Sequence, residues 1–250
     1  MAIVLPHDFT LHYLHFLYLR SLSRTAFSRS LAIIMKEQNY IFGYGSLIES
    51  ESRMRTTSNA KNVYPVIVTG LKRGWFARTG GSSLSTTFLG CIKDSKSIVN
   101  GVIYKVNEEE IKNIDSREKG YSRELIEIKA IDFLFDIKDT NIKVWTYLNE
   151  FKNFEMLRNN FPDKEFPIVQ SYVDICINGC LEIEAKFDKA KEIDFTRMFI
   201  ETTEYWNKFW ANDRIYPRRA FIYRPNAGTI DKYLKHFLKD KSLFNKIYIE

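Results

Sequence analysis

The 250-residue chain is 45% apolar and 27% charged, enough for one substantial core, which excludes a disordered or collagen-like polypeptide. Its net charge of +6 comes from scattered basic residues, so it tilts only slightly toward an anionic small molecule over nucleic acid. Cys91, Cys176 and Cys180 are odd in number and lack Cys-x-x-Cys spacing; this fits buried, reduced thiols in a cytosolic or organellar compartment better than a secreted disulfide framework.

Residues 1–34 are apolar and Ser-rich, carry Arg20, Arg24 and Arg29, and hold Asp8 as their single acid. That composition resembles an organelle transit peptide; the alternative is a true start at Met35 with a dispensable upstream segment. The apolar run Phe9 to Leu19 is too short to span a bilayer and precedes the arginines, the reverse of a secretory signal. We therefore expect no membrane span and a cytoplasmic location, or a mitochondrial or other organellar one if 1–34 is a leader.

From residue 35 to 149 short apolar runs alternate with turn residues, and nine of the eleven glycines lie between Gly43 and Gly120, a strand-and-turn signature. Strands are predicted over Tyr40–Tyr44, Val63–Leu71, Thr87–Ile92, Ile98–Val106, Arg123–Ile131 and Lys143–Leu148. In the fifth, Ile126, Ile128 and Ala130 alternate with Glu127 and Lys129, the period of a half-buried strand. Asn107–Asp115 reads as a short helix with Asn107 as N-cap and three glutamates at the positive end of its dipole.

Residues 150–250 read as a helical extension packed on this domain. Tyr172, Ile175, Cys176 and Gly179 share a helical stripe, with Ser171 and Asp174 as a variant capping box. Further helices are predicted over Phe195–Trp210 and Thr229–Leu238, with Trp206 and Trp210 one turn apart and plugging a core.

All four histidines lie near the ends, at His7, His12, His15 and His236. The central region therefore has no histidine for a serine or cysteine triad or a His-ligated zinc or iron site. A catalytic centre there must use a carboxylate, Lys, Tyr or Cys for proton transfer.

Two stretches remain. In Asn39–Ile48, NYIFGYGSLI, an apolar strand runs into a Gly-x-Gly turn in which glycine admits positive φ and close backbone approach. The amides of Tyr44 to Leu47 then suit an anion-binding nest, although a lone Gly-x-Gly is equally a plain tight turn. Read alone, the second stretch, IDSREKGYSR at Ile114–Arg123, is a solvated charged turn with Gly120 as helix C-cap.

Together, FGYGSLI at Phe42–Ile48 and DSREKGY at Asp115–Tyr121 resemble the γ-glutamylcyclotransferase superfamily, closest to its glutathione-specific branch. GLKRGW (Gly70–Trp75), FLGC (Phe88–Cys91) and VNGVIYKV (Val99–Val106) add to the likeness, which covers about Tyr40–Leu148. PIVQSYVDICINGCLEI and WANDRIYPRR resemble the helical extension of some longer bacterial-type members. The chain departs from the family at Leu47, where the classical branch has Asn, and at Glu49, where the glutathione-specific branch has Trp.

The resemblance implies an α+β fold: a small, closed or nearly closed mixed β-barrel flanked by helices, with a helical C-terminal extension. It implies release of 5-oxoproline from a γ-glutamyl compound without a cofactor or metal. Glu118 is the implied catalytic glutamate, with a proton affinity raised by burial. Phe42, Gly43, Tyr44, Gly45, Ser46 and Leu47 form the implied substrate loop, and Tyr121 is a weaker candidate for a substrate hydrogen bond. Arg73 and Arg123 either receive a carboxylate or face water. The expected partner is a small γ-glutamyl compound, glutathione, a γ-glutamyl amino acid or a γ-glutamyl amine, with no nucleic acid or membrane partner and the oligomeric state open. The alternatives are a catalytically silent barrel that binds a ligand or partner, and an RNA-binding barrel, for which no strand shows basic-aromatic alternation.

Overall fold

A computed structural model describes residues 37–57, 60–78, 85–118, 120–137, 141–218 and 226–249. The leader expected over 1–34 lies outside the described residues. Gln38–Glu250 form one compact unit. The strands are β1 (Gln38–Gly43), β2 (Val63–Ala77), β3 (Phe88–Val106), β4 (Ser122–Ile126), β5 (Ile131–Phe133), β6 (Ile142–Leu148), β7 (Ile168–Val169), β8 (Thr203–Glu204), β9 (Trp210–Asn212) and β10 (Tyr248–Ile249). The helices are α1 (Ser50–Thr56), α2 (Glu108–Arg117), α3 (Phe154–Arg158), α4 (Gln170–Lys186), α5 (Asp188–Glu192), α6 (Phe195–Thr202) and α7 (Ala227–Phe237).

The main sheet has the order β4-β6-β1-β3-β2-β5, with β8 also pairing β2. It is mixed, because β1 runs parallel to β6 and β2 parallel to β8 while the other pairs are antiparallel. β4 and β5 are the two edges of that path, yet only Glu127–Ala130 separates them in the chain. A connection so short forces the sheet to curl until its edges approach, and the result is a half-barrel. Tyr40, Phe42, Val66, Val68, Val99, Ile103 and Val144 are among the residues that fill its concave side. A second core, with Trp75, Tyr104, Ile177, Phe195, Phe199 and Leu234, lies beneath the helices.

Several predicted elements are redrawn. β3 is a single strand where two were expected. Its polar stretch Asp94–Ser97 bulges opposite Gly70 between the pairs Thr69↔Ile98 and Leu71↔Lys93, and Gly70 takes φ +92 to allow it. The alternation read through Ala130 stops at Ile126. Ile128–Ala130 is instead a 3-10 turn that bridges the half-barrel's opening, and Ile128 is exposed.

In the C-terminal part the helix expected over Phe195–Trp210 ends at Thr202. β8 follows, and β9 with β7 and β10 makes a small parallel sheet. Trp206 and Trp210 are therefore not helical neighbours; they stack at 4.8 Å, with Trp210 fully buried. Ser171 is not the cap of α4, because β7 runs directly into the helix and Val169 takes that place. Ser171 instead donates from N–H and Oγ to Asp213 at 2.7 and 2.6 Å, and Asp174 accepts from Arg214. No described helix is long and apolar enough to cross a membrane.

Candidate active site

β1 buries Ile41 and Phe42 and ends at Gly43. The chain then passes Tyr44 and Gly45 into a 3-10 turn, Ser46–Ile48, closed by the Ile48 N–H on the Gly45 carbonyl at 3.0 Å. The amides of Gly45, Ser46 and Leu47 precede that bond, so the turn's own ladder does not use them. Positive φ is not how this loop works: among the described glycines it occurs at Gly70 and Gly120. What the loop requires is close approach, since a Cβ on Gly43 would stand 2.8 Å from Leu47 Cβ.

Two buried arginines brace the loop. From α1, Arg53 Nη1 donates to the carbonyls of Leu47 (3.0 Å) and Ile48 (2.8 Å), and its Nε donates to Ala60 O at 2.9 Å. From β2, Arg73 Nη1 donates to Tyr44 O (3.1 Å) and Asn100 O (2.8 Å). Arg73 Nη2 reaches Asn100 Oδ1, Phe199 O and Thr202 Oγ1, and its Nε reaches Thr203 Oγ1. The guanidinium lies 3.8 Å from the Phe199 ring centroid, and burial pulls its pKa down to about 10.

Arg73 is therefore neither exposed nor placed to receive a substrate carboxylate: it is 0% exposed and its donors are spent inside the protein. Arg123 does face water, pairs with Asp115 at 3.4 Å and lies over the Trp145 ring.

α2 delivers the second half of the site. Asn107 and Glu110 form a reciprocal capping box at its start, with both bonds at 2.8 Å. At its end Glu118 is the C-cap, donating its N–H to Ile114 O at 2.8 Å. Gly120, at φ +96, then turns the chain so that Tyr121 N–H returns to Glu118 O at 3.2 Å before β4 begins.

Glu118 and Tyr121 line a cavity of about 180 Å³ together with Phe42, Gly43, Tyr44, Gly45, Ser46 and Leu47. The structure thus brings all eight sequence-proposed residues to one space. It adds residues that were not proposed for the site: Phe88, Leu89, Ile114, Tyr147 and Tyr172. Tyr172 comes from α4. Its hydroxyl would meet a Cβ on Gly45 at 3.1 Å, and its ring meets Phe88 edge-on at 5.0 Å. α4 holds this position because Gly179 lets the helix press on the Ile48–Glu49 backbone.

The electrostatics favour neutral phenols. Tyr44 donates its hydroxyl to Tyr147 O at 2.8 Å, and burial drives its pKa well above the usual tyrosine value. Tyr147 donates to Asp115 Oδ1 at 2.8 Å and is raised by burial and by that carboxylate. Tyr121 is raised by burial and then by Glu118, with Asn149 acting in the opposite sense. The Glu118 carboxylate contributes to the shift of all three phenols. Asn149 is itself held, since its Oδ1 accepts from Cys91 N–H at 3.2 Å.

All three cysteines are free and buried; burial pushes Cys91 up to about 12, so it is not a nucleophile. Among the described residues no cluster of His, Cys, Asp and Glu is placed to hold a metal ion. The cavity thus offers one carboxylate, protonated phenols and backbone amides, a set suited to moving a proton and binding a polar, compact ligand.

The family model described as Gamma-glutamyl cyclotransferase, AIG2-like, matches residues 41–166. A solved structure described as gamma-glutamyl cyclotransferase is 15% identical over 63% of this chain and 86% of its own, with a TM-score of 0.46. An uncharacterized protein from Homo sapiens is 15% identical over 64% of this chain and 88% of its own, with a TM-score of 0.45. A glutathione-specific gamma-glutamyl cyclotransferase from yeast is 15% identical over 62% and 89%, with a TM-score of 0.33. Curated proteins give no significant match.

Proposed function

The chain belongs to the gamma-glutamyl cyclotransferase, AIG2-like family, and from that premise we propose that it releases 5-oxoproline from a small γ-glutamyl compound, with Glu118 as general base and then acid. The observation that carries this reading is the shared cavity, which Glu118 and the Tyr44–Leu47 loop both line. In the proposed step the substrate's α-amine attacks its own γ-carbonyl. The γ-amide C–N bond breaks and a lactam C–N bond forms. The α-ammonium gives up two protons, one to Glu118 before the attack and one as the lactam forms, and the departing nitrogen takes up two by way of Glu118 and leaves as an ammonium, so atoms and charge balance without a cofactor.

Closing a five-membered ring within one molecule needs chiefly a substrate held in the reactive conformer, and well-oriented intramolecular reactions reach effective molarities of about 10⁵–10⁸ M. The amides of Gly45, Ser46 and Leu47 are the groups for holding the glutamyl unit and the charge that develops on its carbonyl oxygen. Their carbonyl neighbours are immobilised by Arg53 and Arg73. Burial and the neighbouring Glu118 keep the Tyr121 hydroxyl protonated, which leaves its proton for a substrate oxygen.

The test is 5-oxoproline release by the purified protein from glutathione, γ-glutamyl amino acids and γ-glutamyl amines. Glu118→Gln, which keeps size and removes the base, is expected to lower kcat about 10²–10⁴-fold. Full activity in that variant, or inertness of the wild-type protein toward the whole panel, overturns the reading.

A further inference from the structure

We propose that Tyr172, from the C-terminal extension, is the wall that sizes the acyl half of the substrate, so that an unbranched glutamyl unit is accepted and one carrying an added methyl group is rejected. This rests on the cyclotransferase reading above and gives the extension a task in the same site. The family model stops at residue 166, and Tyr172 is the residue from beyond it that lines the cavity.

The side chain of Tyr172 stands at the loop end of the cavity. A Cβ on Gly45 would meet its hydroxyl at 3.1 Å and Leu89 Cβ at 3.7 Å, so both side chains converge on that glycine. The Tyr172 ring packs edge-on against Phe88 at 5.0 Å and Trp75 at 6.0 Å. Phe88, Leu89 and Tyr172 all line the cavity, and none of them carries a charge. In the proposed step Glu118 serves the amine and the Gly45–Leu47 amides serve the carbonyl, which leaves this surface for the methylene chain between them. At about 180 Å³ the cavity corresponds to roughly six shares of liquid water at about 30 Å³ each, small enough for one methyl group to matter.

A wall selects by size only if it cannot retreat, and α4 is held on both sides of Tyr172. Before it, Ser171 donates from N–H and Oγ to the buried Asp213. After it, Asp174 accepts from Arg214 Nε and Nη2, both at 2.8 Å, and from Gln170 Nε2 at 2.9 Å. Arg214 also reaches Asp231 on α7 at 2.7 and 2.9 Å. Farther along the helix, Glu182 Oε2 accepts from Ser50 N–H at 3.1 Å, next to the backbone on which Gly179 presses. The segments PIVQSYVDICINGCLEI and WANDRIYPRR thus meet through charge-assisted bonds, and between them they fix the residue that faces the substrate loop.

The experiment takes the compound cleaved best in the panel of glutathione, γ-glutamyl amino acids and γ-glutamyl amines, and its two analogues that carry a methyl group, in either configuration, on the glutamyl carbon next to the scissile carbonyl. All three close the same five-membered ring, and kcat/KM for lactam release is compared in the full-length protein, Tyr172→Ala and the better-filled Tyr172→Leu. The wild-type protein is expected to prefer the unbranched substrate over at least one analogue by about 10–200-fold, the range that one methylene commands in an apolar pocket. Each Tyr172 variant is expected to lower that ratio at least about fivefold. Ile183→Ala is the control for loosening: Ile183 is buried on the same helix but does not line the cavity, so Tm should fall with the ratio in place. A wild-type ratio near one for both analogues, a ratio that neither Tyr172 substitution moves, or one that Ile183→Ala lowers equally overturns the wall, while lactam release leaves the cyclotransferase reading standing. Inertness toward the whole panel overturns the two together.

Discussion

Replacing Arg73 by Met sets two large terms against each other. The substitution keeps an unbranched side chain of similar reach but removes every N–H donor. Thr203 Oγ1 and Thr202 Oγ1 still have their own bonds, to Phe199 O at 2.6 Å and Met198 O at 2.7 Å. Tyr44 O and Asn100 Oδ1 are the acceptors for which Arg73 is the partner seen here. Leaving two buried acceptors unsatisfied costs about 2–6 kcal/mol, at about 1–3 each.

Against that, the arginine is a buried cation. The fall of its pKa from 12.5 to about 10 means that desolvation of the charge already costs the folded state about 3 kcal/mol, at about 1.4 kcal/mol per tenfold change in proton affinity. The net destabilisation expected is thus only about −1 to 3 kcal/mol, and the variant folds. The loop, however, loses its tether at Tyr44 O, so kcat/KM for 5-oxoproline release should fall at least about tenfold, consistent with the sensitivity of catalysis to small misplacements. Urea unfolding gives the first quantity and a 5-oxoproline assay the second. A variant that does not fold, or one that folds with undiminished kcat/KM, refutes the reasoning.

Three smaller changes probe the supports around the site. Asn107→Ala removes the cap of the helix that ends on Glu118 and should destabilise by about 1 kcal/mol, read as a lower urea midpoint with an unchanged m-value. Gly179→Ala improves α4 by about 1 kcal/mol of helix propensity. Its Cβ would nevertheless fall on the Glu49 backbone nitrogen, and overpacking against backbone at about 1–3 kcal/mol should prevail, with a lower Tm and a raised KM; a higher Tm would show that the loop yields.

The third change concerns pH. Burial, aided by Glu182, raises the Glu49 carboxyl above its ordinary 4.5 despite the opposing Ser52 and Glu51 amides. Its contribution to stability is therefore present below about pH 4.5 and lost as pH rises through the raised folded value. Glu49→Gln removes that dependence, so its stability relative to wild type should increase with pH across that window and then level off. Urea titrations from pH 4 to 8 check this, and a difference that falls with pH would contradict it.

Much of this architecture can be read from residue patterns because local chemistry dictates it. The Asn107–Glu110 box starts α2 where the cap rule puts it, and the alternating apolar runs mark β1, β2 and β6. The meeting of FGYGSLI with Glu118 is legible only through the pairing of two motifs, since neither stretch alone distinguishes a site from a turn.

What escapes the sequence is long-range. Polar Asp94–Ser97 looks like a break, yet the β2 register carries the strand through it as a bulge. Ser171 and Asp174 look like a capping pair until Asp213 and Arg214 claim them from forty or so residues away. Arg73 looks like a surface charge, because no sequence pattern announces a cavity built to solvate it. Tyr172 reads as part of a helical stripe and Tyr147 as one residue of a strand, and they reach the site only because the sheet curls and α4 docks.

Arg73 also bears on the order in which the protein becomes competent during synthesis. Half of its acceptors, Phe199 O, Thr202 Oγ1 and Thr203 Oγ1, lie in α6 and at its end, some fifty residues beyond β6. Chains emerge N-terminus first, so a nascent half-barrel holds this cation with only part of its solvation shell until α6 and Thr203 have left the ribosome. The substrate loop that leans on the same guanidinium is then among the last parts to settle, and a ribosome stalled before α6 would display a sheet without a finished site.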